Sequence, residues 1–208
     1  MKKVLFIFIA LISFSGFSQT PYQKGMTKAF DLWQNNQPWE AVNIFERIAK
    51  AEPDNWLPPF YIAQINVIQS FNEKDKTKMT AQLNKARDFI NDAMILSENN
   101  PEIMVVEAQY YTAWIVMDGQ QYGMKYSAKV AELYQKAAAI APENPRVAFG
   151  KVEWDMGTAR FFGQPMAPFC EDLRKAYLLF EGFESKGEFH PRGGDQYAKS
   201  VIDRTCTN

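Results

Sequence analysis

The residue types that most often carry catalysis or bind metal ions are scarce in this 208-residue sequence. Its single histidine, His190, lies in the Pro- and Gly-rich stretch GEFHPRGGD, residues 187–195, without the cysteine or acidic spacing of a metal site. One histidine cannot build a two-histidine zinc centre. The sequence therefore predicts no metal site and a histidine on a surface loop.

Other catalytic motifs are also missing from the sequence. It contains no glycine-rich phosphate loop, no dinucleotide fingerprint and no nucleophile elbow, so no cofactor is predicted. Acidic pairs such as Glu181 and Glu184 share a helical face, but this spacing is typical of solvated helix surfaces rather than of acid–base catalysis. We therefore predict no catalytic residues and a protein that is not an enzyme.

The first residues, MKKVLFIFIALISFSGFSQT, have the pattern of a secretory signal. Lys2 and Lys3 precede an apolar run too short to span a bilayer comfortably, and Gly16 and Ser18 supply the small residues of a cleavage site. We expect a signal peptide at residues 1–18 that is cleaved, with an uncleaved anchor helix as the alternative. The mature chain would be exported, to the periplasm or beyond the cell, and would not span the membrane.

Charge limits the choice of partner. The 23 basic residues lose two lysines with the signal peptide, and 24 acidic residues then leave a net charge of about −3. Nucleic acid and anionic membrane attract basic surfaces. Neither is therefore expected to be the main partner.

The exported compartment gives the two cysteines, Cys170 and Cys206, a possible role, since an even pair can bridge under oxidising conditions. Cys170 is expected near the start of one helix and Cys206 at the end of the last. Antiparallel packing of these helices would bring the two thiols together. We predict a disulfide; the alternative is a buried Cys170 and a free Cys206.

The helices that would position a functional site can be predicted from a pattern that occurs three times in the sequence. Its members stand at offsets 0, 4, 7 and 12: Ala41, Phe45, Ile48 and Pro53; Ala86, Ile90, Ala93 and Glu98; Val130, Tyr134, Ala137 and Pro142. Offsets 4 and 7 place three side chains on one helix face, and small residues there let a neighbouring helix approach closely. Asn100 and Asn144 suit the N-caps of the next helices, with Pro101 and Pro145 at the first helical position.

This pattern resembles the second helix of the tetratricopeptide repeat (TPR), a helix–turn–helix unit. The resemblance implies an all-α fold, a right-handed α-solenoid of about four antiparallel helix pairs with a C-terminal capping helix, about nine helices in all. The expected units are residues 22–55, 56–100, 101–144 and 145–186, with the cap at 195–206. Copies are 44–45 residues apart, so each unit carries about ten more residues than the typical repeat, as longer helices, longer loops or both.

In that family the first helices line a concave groove that binds peptides. Carried over by register, the resemblance places the groove at Phe30, Trp33, Gln34, Gln64, Gln109, Thr112, Arg146 and Glu153. This set is apolar and amide-rich, which suits an apolar segment whose backbone is held by amides. The main interpretation is thus a non-catalytic scaffold of the cell envelope that binds a protein or peptide partner.

A second interpretation is a small-molecule or glycan-binding accessory protein whose aromatic residues stack on the ligand. Clustering of Tyr110, Trp114 and Trp154 around one open pocket would favour it. The tryptophans are otherwise expected to be packing residues between helices.

Overall fold

The computed structural model describes residues 19–206, so the predicted signal peptide lies outside the described residues. Within that range the chain is all-helical, with nine α-helices, one short 3-10 helix and no strand. The helices are α1 (Pro21–Gln34), α2 (Pro38–Ala51), α3 (Leu57–Ser70), α4 (Lys76–Leu96), α5 (Pro101–Met117), α6 (Gly119–Ile140), α7 (Pro145–Phe161), α8 (Cys170–Leu178) and α9 (Asp195–Thr205). The 3-10 helix Ala167–Phe169 directly precedes α8. The all-α class and the helix count are therefore confirmed.

Each helix packs against the next one along the chain. The main further contacts join α3 to α5 and α5 to α7, so these first helices of successive pairs lie side by side. This order of contacts is that of stacked helix pairs. The handedness of the stack, the unit boundaries and the kinship with tetratricopeptide repeats remain predictions.

The repeated pattern forms the core between the pairs. All nine members at offsets 0, 4 and 7 are buried: Ala41, Phe45, Ile48, Ala86, Ile90, Ala93, Val130, Tyr134 and Ala137. Where α6 meets α7, the Tyr134 ring lies against Gly150, and a Cβ added to this glycine would come within 2.8 Å of the ring. A glycine is therefore needed at this crossing for the two helices to approach so closely.

The extra residues of the longer units extend the second helices. Helices α4 and α6 have 21 and 22 residues, against 14 in α2. Both begin after an aspartate, Asp75 or Asp118, whose side chain accepts hydrogen bonds from the first-turn amides. The added length thus lies at the amino-terminal ends of these helices.

Two helices are capped by the residues that the sequence predicts, and a third helix is not. Asn100 and Asn144 cap α5 and α7, accepting from the amides of Glu102 and Arg146 at 2.9 and 3.0 Å, as expected. At α9 the sequence favours Asp195 as the cap, since aspartate is a common N-cap residue, but this prediction is wrong because Asp195 is the first helical residue of α9. The residue before it, Gly194, has φ 118°, a conformation that glycine adopts readily.

Helix α8 is shorter than the spacing of its apolar residues predicts. Residues at helical spacing continue past its end: Leu173, Ala176, Tyr177, Phe180 and Phe183. The helix ends at Leu178, so Phe180 and Phe183 lie in the following turns rather than on the helix. The Phe183 ring lies 4.6 Å from the Arg146 guanidinium carbon, and the Phe180 ring packs against Gly194. These contacts with distant residues replace the helical positions that the local pattern favours.

The predicted disulfide is present. Cys170 and Cys206 are bonded, with 5.6 Å between their Cα atoms, and join the start of α8 to the end of α9. Such a bond is the covalent link expected of an exported chain. No helix in residues 19–206 is both long and apolar enough to cross a membrane.

Candidate functional site

The stretch between α8 and α9 folds back across α1, α3 and α7, each of which is the first helix of its pair. We call residues 184–194 the returning segment. Tyr61 of α3 donates its hydroxyl hydrogen to the Phe189 carbonyl oxygen at 2.7 Å, and the Gln23 amide of α1 donates to the Glu188 carboxylate at 2.9 Å. Arg146 of α7 donates to the Gly193 carbonyl at 3.4 Å. The segment is thus tied to three helices that are far from it in sequence.

The side chain of Phe189 is the anchor of the returning segment. Its ring centroid lies 5.6 Å from that of Tyr22, edge to face, and 6.1 Å from that of Phe30, stacked. Phe30 in turn packs edge to face on Tyr61 at 4.8 Å. Burial raises the pKa of the Tyr61 phenol well above its usual value, so its hydroxyl stays protonated and available to donate.

The amino-terminal half of the expected groove is therefore in contact with the chain itself. Phe30 is half-buried beneath Phe189, and Trp33 is half-buried against Phe30 and Tyr61. Gln34, at the end of α1, is exposed.

The groove residues of α3 and α5 share a partly open surface. Gln64, Gln109 and Thr112 are all half-buried on these two neighbouring helices. The Thr112 hydroxyl donates to the Ala108 carbonyl at 2.9 Å, so part of its polar capacity is used within α5. Whether these residues contact a ligand stays a prediction.

The two charged groove residues of α7 have internal partners. Arg146 forms an ion pair with the buried Glu102, with Nε donating at 2.8 Å, and the Asn144 amide donates to the same carboxylate at 2.6 Å. Glu153 accepts a hydrogen bond from the Tyr197 hydroxyl at 2.7 Å. Burial raises the pKa of the Glu153 carboxyl, and this hydrogen bond opposes the rise.

A cavity of about 720 Å³ lies at the end of the stack, where the turns before α3, α5 and α7 meet the chain that follows α8. Its larger apolar lining residues include Trp56, Ile140, Leu178, Leu179, Phe183 and Pro191. Its ionisable lining residues are Glu102, Glu143, Glu184, Lys186 and His190. The returning segment thus supplies one wall of this cavity as well as the cover of the first helices.

Two large aliphatic side chains of the cavity are open to solvent. Ile140 is 50% exposed and Leu178 is 58% exposed, although both line a concave surface. Apolar walls of this kind gain free energy when a ligand displaces water from them. The cavity therefore suits a largely apolar ligand.

The charges around the cavity are unevenly balanced. Glu102 is neutralised by Arg146, whereas Glu143 and Glu184 are exposed, and Lys186 is the one lysine or arginine in the lining. A ligand with acidic groups would therefore have to place them near Lys186 or in open solvent.

His190 packs against the indole of Trp56, with ring centroids 5.5 Å apart and the rings nearly perpendicular. Burial, with a smaller contribution from Lys186, lowers the pKa of the imidazole below its usual 6.5. Within residues 19–206, no hydrogen bond involves its ring nitrogens. His190 is thus a half-buried cavity residue rather than the surface-loop histidine expected from the sequence.

Sequence reasoning missed this cavity. The aromatic residues proposed for a pocket do not gather around one: Tyr110 and Trp114 are buried in the core of the first pairs, and Trp154 packs on a separate cluster around Val130 and Val147. Trp56 is the tryptophan that lines the cavity instead. The sequence features that could have indicated the cavity are the asparagine–proline turns and the loop that contains His190, which meet at one end of the stack.

Comparison with known proteins gives a fold class first. No protein-family model matches the sequence, and no curated protein sequence matches it. Among solved structures, the fold is similar to that of an all-helical protein with which it shares 20% sequence identity, and the similarity covers 89% of this chain and 93% of that one. That structure is HusA, a haemophore from Porphyromonas gingivalis, and the TM-score is 0.75. At this identity the similarity is one of fold.

Proposed function

We propose that this chain is an exported, non-catalytic binding protein that holds a planar tetrapyrrole of the haem class in the end cavity. The observation that carries the proposal is the cavity of about 720 Å³ with aromatic and solvent-open aliphatic walls. Ligand sites in proteins usually measure about 300–1,000 Å³ and are lined in this way. The fold shared with a haemophore, a carrier of haem, supports the choice of ligand class.

The walls suit the two kinds of surface on such a ligand. The flat faces of a tetrapyrrole are apolar and can pack on Trp56, Phe183 and the aliphatic Ile140 and Leu178. Its carboxylate groups stay hydrated at the open side, with Lys186 as the lining cation that can meet them.

The test is an absorbance titration of the purified mature protein with iron protoporphyrin and, separately, with metal-free protoporphyrin. The expected result is saturable binding of one equivalent with a dissociation constant in the micromolar range or below, together with quenching of tryptophan fluorescence. A folded protein that gives no saturable change with either porphyrin refutes the proposal.

Matched variants locate the site. Ile140→Asn changes a solvent-open wall residue, so it should weaken porphyrin binding while the fold is kept. Ile95→Asn is the control, because Ile95 is 77% exposed on α4 and is not among the cavity-lining residues. Equal loss of binding in both variants, or in neither, would place the porphyrin elsewhere.

A second candidate function is binding of a peptide on the first helices. The returning segment favours it, because this surface already holds a stretch of chain through side-chain contacts from α1, α3 and α7. A partner segment would lie on the part formed by Gln64, Gln109 and Thr112. A cross-linked pull-down from the exported fraction tests it: a partner that is lost with Gln109→Ala supports peptide binding, and the absence of any partner for folded bait argues against it.

A further inference from the structure

We infer that His190 is an axial ligand for the iron of the bound tetrapyrrole, so that the cavity selects the iron-bearing form over the metal-free ring. The inference rests on the proposed function. It deepens that function by naming the chemical class of ligand, a metalloporphyrin with a free axial position, and the side chain that recognises it.

His190 is held at the wall of the cavity by the backbone on either side of it. It lies on the returning segment, lines the cavity and is half-buried beside Trp56. Its amide donates to the Gly187 carbonyl at 3.1 Å, and the Phe189 side chain next to it is packed between Tyr22 and Phe30. The backbone that bears the imidazole is thus fixed on both sides.

The orientation of the ring is fixed as well. The edge formed by Cδ2 and Nε2 lies over Gly187: a Cβ added to that glycine would be 2.9 Å from Cδ2 and 3.3 Å from Nε2. Nδ1 is on the other edge of the ring, away from Gly187, and is the nitrogen that would bind a metal. The indole of Trp56 limits the ring from another side. An imidazole held in this way loses little conformational entropy when it binds a metal.

The chemistry needs a neutral nitrogen donor, and the cavity offers one imidazole. The sequence contains a single histidine. Nδ1 of His190 would supply the lone pair that holds the iron, in place of a water molecule and with no change in oxidation state. Imidazole is a common ligand of haem iron, whereas Glu102 is already paired with Arg146 and a lysine ammonium has no lone pair to donate.

The experiment compares iron protoporphyrin with metal-free protoporphyrin on the wild type and on His190→Ala. The wild type should bind the iron form more tightly by on the order of tenfold, and His190→Ala should remove that difference while binding of the metal-free ring is kept. Added imidazole should restore the wild-type Soret band and electron paramagnetic resonance signal of the variant. His190→Gln, which keeps the size and polarity of the side chain, serves if the alanine variant is poorly folded.

A pair of glycine variants tests the orientation. Gly187→Ala forces the imidazole to move, since its new Cβ would overlap Cδ2, and should weaken binding of the iron form alone. Gly157→Ala, on an exposed position of α7 outside the cavity lining and with nothing within 4 Å of the new Cβ, is the control and should leave both affinities unchanged.

The outcomes separate the inference from the proposed function. Equal affinity for the two porphyrins, with an unchanged iron spectrum in His190→Ala, overturns the axial ligand and leaves the tetrapyrrole site in place. Failure of both porphyrins to bind overturns the site and the ligand together.

Discussion

Removal of the Phe189 side chain should open the returning segment without unfolding the helices. The ring is half-buried and lies outside the fully buried core. It holds the segment through its contacts with Tyr22 and Phe30, next to the backbone hydrogen bond from Tyr61. We therefore expect Phe189→Ala to act on residues 184–194 first.

The magnitude follows from these contacts. Full burial of a phenylalanine contributes about 1.5–3 kcal/mol, so half burial contributes about 1 kcal/mol or slightly more. The pairs with Tyr22 and Phe30 each add about 0.5–1.5 kcal/mol. The total of about 2–4 kcal/mol corresponds to at least a 20-fold rise in the population of the open segment.

Hydrogen exchange read by mass spectrometry measures this opening. The His190 amide, bonded to the Gly187 carbonyl, should exchange faster in Phe189→Ala by the same factor. Amides in the middle of α3 and α5 should exchange at their wild-type rates. Porphyrin affinity should fall as well, because the open segment no longer supplies the wall that contains Lys186 and His190.

Phe162→Ala is the matched control, since Phe162 is 70% exposed and its aromatic neighbour Phe161 is 80% exposed. Wild-type exchange in the returning segment of Phe189→Ala would refute the reasoning. Faster exchange throughout the helices would also refute it, because it would mean that Phe189 supports the whole fold rather than the segment.

Three further predictions concern stability. Replacement of both Cys170 and Cys206 by serine should lower the free energy of unfolding by about 4 kcal/mol, as expected for loss of a 36-residue loop closure, measured by urea denaturation. Glu102→Gln leaves the Arg146 guanidinium buried without its charge partner and should cost about 3 kcal/mol or more in the same assay. Glu153 has a pKa raised by burial, so the folded chain holds its proton more tightly than the unfolded chain. The free energy of unfolding should therefore fall as the pH rises from about 4.5, and Glu153→Gln should remove that fall.

Each of these predictions has a control. Reductant should destabilise the wild type but leave the double serine variant unchanged. Glu132→Gln, in a surface pair with Lys136, should cost less than about 1 kcal/mol, and an equal cost for Glu102→Gln would argue against the buried ion pair. A wild-type stability that rises between pH 4.5 and 6 relative to Glu153→Gln would show that the Tyr197 hydrogen bond outweighs burial.

The helices could be predicted because their signals are local. Residues four and seven apart share a face, and the asparagine–proline pairs at Asn100 and Asn144 begin α5 and α7. The paired cysteines could also be anticipated, since both stand at the ends of predicted helices that pack on each other.

The candidate site could not be predicted, because its contacts join residues that are far apart in the chain. Tyr61 and Phe189 are 128 residues apart, and no period in the sequence relates them. The returning segment contains proline and several glycines, so it reads as a loop that ends one helix and precedes another. What covers the first helices, and what closes the cavity, depends on the path of that loop in space.

The disulfide has a consequence for when the protein becomes able to bind. Phe183, Lys186, His190 and Pro191 all belong to the loop that the Cys170–Cys206 bond closes, and this loop is synthesised after α1 to α7. A nascent chain that has reached only α7 has the helix layers but not this wall of the cavity. Because the bond forms in an oxidising compartment, the wall is secured only after translocation. A chain still inside the cell would therefore lack this secured wall, so the proposed binding of a ligand should be strongest after export.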